Sequence, residues 1–213
     1  MYMVKNIEKY KNYGWGLSKK CFLDINNCLE NFIKPIIVEF GSGVSTEFFV
    51  DYLNDNNKDG KILSFDDSIE YASKIKDNKL ILNIKNIVEF KDEDYDLMFL
   101  EKKYFNNKKI KRIEKPHTRQ KNCFYDINDE LPSNIDLVVI DGPHGNGRNI
   151  SFLHLKDKLH VGSYIIIDDF NHYDFCEKFE YMFPNNQIII KSMTGKINQW
   201  DNGGNYIIYK IIN

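Results

Sequence analysis

The sequence has no apolar run long enough to span a bilayer, and its first residues, Met1 to Asn6, lack the apolar stretch of a secretory signal. No membrane association is expected, and the chain reads as cytoplasmic. Charge of one sign is also missing. The 29 Lys and Arg stand against 31 Asp and Glu, a net charge of −2 that argues against a general nucleic-acid binder. Cysteine is scarce: Cys21, Cys28, Cys123 and Cys176 form no C-x-x-C pair and no finger spacing. Reduced thiols are expected. Cys21 and Cys28, seven apart, fall on one helix face and read as core. What the chain does have is apolar mass. Hydrophobic residues make up 42% and aromatics 14% of 213 residues, enough for one domain with a buried core.

The rest of the chain is organised around Ile36-Ile37-Val38-Glu39-Phe40-Gly41-Ser42-Gly43-Val44-Ser45-Thr46. A β-branched apolar run ends in an acid, two glycines follow, and a Ser-Thr pair opens a helix. Glycine serves where a turn takes positive φ or a ligand lies against bare backbone, and a helix start aims free N–H groups at that ligand. The stretch predicts a cofactor cradle.

Residues 1–35 read as an arm and a helix, with Ser18 as its cap, running to about Ile33. Trp15, between Gly14 and Gly16, reads as an anchor for that arm rather than a flap over the pocket. Residues 36–213 read as the main domain. Strands are predicted at Ile36–Phe40, Lys61–Asp67, within Leu80–Phe90, at Ile135–Asp141, Gly162–Asp169, Gln187–Lys191 and Asn205–Ile211. Helices are predicted at 44–53, 69–76, 149–159 and 171–183. Continuously apolar strands alternating with helices indicate an α/β fold, Rossmann-like and doubly wound. The mostly parallel sheet carries helices on both faces, and the last two strands form an antiparallel edge.

Residues 91–134 form an irregular insert. Between Glu101 and Lys121 it holds nine basic residues against two acidic ones, a local charge of +7. Two readings stay open: a solvated loop, and a lid that attracts an anionic substrate.

Ligands of such sheets sit at the carboxyl ends of the strands. Acids fall there repeatedly: Glu39, Asp66 and Asp67, Asp141, Asp168 and Asp169. The dinucleotide fingerprint G-x-G-x-x-G is incomplete, because Thr46 takes the third position. A carboxylate at Glu39 is awkward beside a pyrophosphate and favourable beside a cationic amino acid group. Asp66 or Asp67 can accept both ribose hydroxyl hydrogens. The adenine-binding acid stays open among Asp92, Asp94 and Asp126.

Val38 to Thr46 resembles motif I of the class I S-adenosylmethionine-dependent methyltransferases, and Ser64-Phe65-Asp66-Asp67-Ser68 resembles their second acidic motif. Asp136 to Gly145 and Gly162 to Asp169 resemble the fourth- and fifth-strand motifs of the small-molecule and sugar O-methyltransferase branch. The resemblance implies S-adenosyl-L-methionine held by Glu39, Gly41, Ser42, Gly43, Ser45, Thr46, Asp66 and Asp67. In metal-dependent members of that branch, the positions of Asp141, Asp168 and Asp169 hold a divalent cation, Mg²⁺ or Ca²⁺ for an all-oxygen set. Such a cation lowers the pKa of the substrate hydroxyl. His144 stands where catecholate-type relatives place a lysine base, which gives Asp141 and His144 the catalytic roles. Further candidates are His172, facing the pocket, and Arg148, either binding a substrate anion or lying on the surface. His154 and His160 read as structural.

The expected function is methyl transfer to a hydroxyl of a small molecule or sugar. Two alternatives compete with it: an NAD-dependent oxidoreductase, and an inactive methyltransferase-like binding module that uses the basic insert.

Overall fold

The computed structural model describes residues 4–11, 16–72, 75–89, 111–112, 123–127, 130–143, 146–171, 175–193 and 204–213. A single-turn 3-10 helix, Ile7–Tyr10, precedes α1 (Lys19–Leu29), β1 (Ile36–Phe40), α2 (Val44–Asp55), β2 (Lys61–Asp66), α3 (Ile69–Ala72), β3 (Leu80–Ile84) and β4 (Ile87–Glu89). Then come β5 (Lys111–Arg112), β6 (Cys123–Tyr125), β7 (Ile135–Ile140), a 3-10 turn at Asn146–Asn149, α4 (Ile150–Leu155), β8 (Leu159–Asp168), α5 (Phe175–Met182), β9 (Asn186–Ser192) and β10 (Tyr206–Ile211).

Seven of these strands form one sheet in the order β3-β2-β1-β7-β8-β10-β9. Its pairs from β3 to β8 are parallel, and β10 runs antiparallel to both β8 and β9. This is the doubly wound, Rossmann-like arrangement expected from the alternation of elements. Side chains alternate between two cores, as a pleated strand requires. Ile37, Leu137, Val139 and Ile166 face α1 and α2. Val38, Phe40, Val138, Ile140 and Ile165 face the other side, with Phe152 of α4 and Phe175 and Phe179 of α5.

The N-terminal arm belongs to the first of these cores. Tyr10 is fully buried against Phe22 and Phe48, and its hydroxyl donates to Asp51 Oδ2 at 2.5 Å. Helix α1 opens on Ser18, whose hydroxyl accepts from Cys21 N at 3.2 Å. It ends at Leu29, short of the predicted Ile33. There the buried Lys58 ammonium takes the carbonyls of Leu29 and Phe32, groups a helix end leaves unpaired.

The predicted third strand, Leu80–Phe90, is two strands. Apolar residues continue through it, but the chain breaks at Lys85-Asn86, where Lys85 N donates to Asp66 O at 2.8 Å. β3 stays in the main sheet. β4 leaves it and pairs antiparallel with β5 and β6 in a second, three-stranded sheet. That sheet buries Ile87, Val88, Phe124 and Tyr125 in the core beneath α4 and α5. β8 also starts earlier than predicted, at Leu159 rather than Gly162. At its start, His160 Nε2 lies 2.9 Å from Asp136 Oδ1, and Asp136 Oδ2 accepts from Ile36 N at 2.7 Å. This polar clasp ties β1, β7 and β8 together at the end remote from the acids.

Candidate active site

Strand register brings the acids level. Phe40 lies beside Ile140, and Ile140 beside Ile167. The next residues, Gly41, Asp141 and Asp168, therefore form a row across three neighbouring strand ends, and Tyr206 of β10 extends it as the partner of Asp168.

The cradle begins at Gly41, whose φ is +99°. A Cβ there would stand 2.7 Å from Gly142 N. The two glycines are pressed back to back because Asp141 N and Gly142 N both donate to Phe40 O, at 2.9 and 2.6 Å. Gly43 differs: a Cβ built on it would have no atom within 4 Å. One glycine closes the turn and the other leaves an open face above it.

Beneath that face lies Glu39, fully buried. Its Oε2 accepts from Thr46 Oγ1 at 2.5 Å and from Ser64 Oγ at 2.7 Å. Ser64 spends its proton on Glu39, so Ser42, 2.6 Å away, donates to Ser64. Thr46 Oγ1 also accepts from Gly43 N at 2.9 Å, which fixes the start of α2. Glu39 Oε1 is buried with no hydrogen-bond partner among the described residues. Burial pushes this carboxyl up to about 7. The hydroxyls of Ser45, Thr46 and Ser64 pull against that, and the charge of Asp141 adds to it. A buried carboxylate oxygen without a partner suits a cationic group. The donor set therefore fits the amino acid end of S-adenosylmethionine.

The two acids after β2 separate in role. Asp66 is buried, and its oxygens accept from Ser42 N and Ser68 N, each at 2.7 Å. It is a strut between two loops. Asp67 is exposed beside it. Burial raises the carboxyls of both.

Asp141 and Asp168 meet Arg148, which is neither on the surface nor open to a substrate anion. It is 5% exposed. Its Nε donates to Pro143 O at 2.7 Å and Nη1 to Asp168 O at 3.2 Å, while Nη2 lies 3.7 Å from Asp141 Oδ1. Burial, then the charges of Asp141 and Asp169, hold the Asp168 carboxyl well above its usual range, with Arg148 acting against them. Among the described residues, no three His, Cys, Asp or Glu side chains come together as a metal ligand set. As placed, Asp141, Asp168 and Asp169 do not converge as a set of three. His144, His172, Trp15, Asp92, Asp94 and most of the basic insert lie outside the described residues.

Two contributors escaped the sequence reading. Ser64 is the register partner of Glu39, and its signal was a polar residue inside an apolar strand. Tyr125 comes from the second sheet, and its hydroxyl would stand 2.4 Å from a Cβ on Gly142. It feels the charges of Asp66, Asp67, Asp141 and Arg148, so it sits behind the middle of the site. Gly147 packs as tightly, its notional Cβ 1.9 Å from Cys123 O. Gly142 and Gly147 thus seat β6.

Residues 38–170 match the model of a family described as Methyltransferase domain. No curated protein matches the chain. Among solved structures, a Klebsiella pneumoniae protein provisionally assigned as an O-methyltransferase shares 13% identity, covering 99% of this chain and 88% of its own, with a TM-score of 0.55. A precorrin-6y C5,15-methyltransferase from Geobacter metallireducens GS-15 shares 13%, covering 95% and 93%, with a TM-score of 0.55. The O-methyltransferase TomG from Streptomyces achromogenes, involved in tomaymycin synthesis and solved with S-adenosylmethionine, shares 11%, covering 97% and 86%, with a TM-score of 0.53. At these identities the likeness is one of fold.

Proposed function

The chain belongs to the methyltransferase-domain family of class I S-adenosylmethionine-dependent enzymes, and from that premise we propose that it methylates a hydroxyl of a small molecule or sugar. The observation that carries the reading is the row of strand ends beginning at Gly41, two residues past Glu39, which sets Asp141 and Asp168 level with the cradle. The donor supplies a methyl group on a sulfonium. The protein has to orient that group and take one proton from the acceptor.

In this reading Glu39 Oε1 accepts from the donor's ammonium, and the open face of Gly43 lies along its amino acid chain. Asp67 takes the ribose hydroxyls, because Asp66 is held by backbone N–H groups. Asp141 orients the acceptor hydroxyl. His144, three residues on, takes its proton as general base. Two of the compared structures carry O-methyltransferase names, which supports oxygen as the acceptor atom. Calorimetric titration with S-adenosylmethionine and S-adenosylhomocysteine tests the premise, and binding of neither would sink it.

A pH dependence follows from Glu39. Its carboxyl ionises near 7, and the ionised form is the one that receives an ammonium. Affinity for S-adenosylhomocysteine should rise with pH and level off above 7. It should be roughly twentyfold weaker at pH 5.5 than at pH 7.5. Glu39→Gln should weaken binding and flatten the profile; an unchanged slope would remove Glu39 from that role. Folding carries the opposite sign. The raised carboxyl ionises at a cost, so stability from this group falls between its ordinary value of 4.5 and about 7.

A further inference from the structure

We propose that Arg148 is the built-in cation of this site and that the protein works without a divalent metal ion. The proposal rests on the methyltransferase reading of the same residues. All three guanidinium nitrogens are engaged across the gap between the loop after β7 and the end of β8. Nε meets Pro143 O at 2.7 Å, Nη1 meets Asp168 O at 3.2 Å, and Nη2 stands 3.7 Å from Asp141 Oδ1. The planar fork suits this triple role, which an ammonium could not fill.

Arg148 is also held in place. The neighbouring Gly147 is wedged against the Cys123 carbonyl, and Ser151 Oγ donates to Arg148 O at 2.6 Å. A Mg²⁺ or Ca²⁺ ion stands about 2.0 to 2.6 Å from its oxygen ligands. On Asp141 Oδ1 such an ion would lie within about 6 Å of a buried positive charge that cannot swing aside, and like charges repel strongly in such surroundings. Among the described residues no third ligand joins the acids to offset that cost.

Mn²⁺ titration followed by electron paramagnetic resonance, on protein saturated with S-adenosylhomocysteine, tests the proposal. The unaltered protein should show no saturable Mn²⁺ site up to millimolar concentration. Arg148→Ala, which clears the place and uncovers the acids, should bind Mn²⁺ at least tenfold more tightly, and adding Asp141→Asn should remove that gain. Saturable Mn²⁺ binding by the unaltered protein, lost in Asp141→Asn, overturns the proposal. A folded Arg148→Ala protein that gains no Mn²⁺ site also overturns it. If Arg148→Ala does not fold, the unaltered protein decides alone. Failure to bind S-adenosylhomocysteine would instead strike the methyltransferase reading.

Discussion

Gly41→Ala should cost about 3 to 5 kcal/mol of stability and lower the melting temperature by roughly 10 °C. Two effects combine. At φ of +99° a side chain is strained whatever the space around it, and the new Cβ would meet Gly142 N at 2.7 Å. Neither atom can retreat, because Asp141 N and Gly142 N are tied to Phe40 O. Gly43→Ala is the control. Its Cβ enters open space, so the fold should melt within about 1 kcal/mol of the unaltered protein. Binding of S-adenosylhomocysteine should nevertheless drop at least tenfold, because that space is the proposed seat of the donor. Thermal melts and calorimetry on the pair separate the two glycines. Equal melting losses would show that Gly43 also serves the turn.

Arg148→Ala should destabilise the protein by about 3 kcal/mol in the absence of added cations, near the lower end for breaking a buried ion pair. The lower end applies because the Asp141 side chain keeps 27% of its surface in water. The loss has two sources. Pro143 O and the Asp168 carbonyl lose donors, and Asp141 and Asp168 face each other without a guanidinium. Lowering the pH should recover part of it, since the Asp168 carboxyl, already held above its usual range and losing the guanidinium that lowers it, takes up a proton more readily and relieves the repulsion, whereas the unaltered protein should gain less. Urea unfolding at two pH values measures the difference. A variant as stable as the parent at neutral pH would mean that the acids do not depend on Arg148.

The main sheet was legible because its strands are short, apolar and bounded by Gly, Pro or acids. Ile36–Phe40 and Ile135–Ile140 are buried on both faces and read as uninterrupted runs. The second sheet was not legible. β6 is three residues long, and its partner β4 lies some 35 residues earlier, so neither carries a local signal. Within the site, the strand-end acids were visible as types, but their division of labour was not. Asp66 and Asp67 are adjacent in sequence, and only the backbone N–H groups of Ser42 and Ser68 tell the strut from the exposed carboxylate. Arg148 misled for a related reason. Its burial depends on Gly147 lying against Cys123, a contact across more than twenty residues.

The position of β10 bears on how the molecule is made. It is the last of the described strands to leave the ribosome, yet it lies inside the sheet, between β8 and β9. β9 is synthesised earlier and has no other strand partner among the described residues. Until Tyr206–Ile211 emerges, β8 offers an unpaired edge and β9 has nowhere to dock. Nascent chains halted before Tyr206 should therefore be the aggregation-prone species, with β1 and β2 already paired ahead of an unfinished far edge.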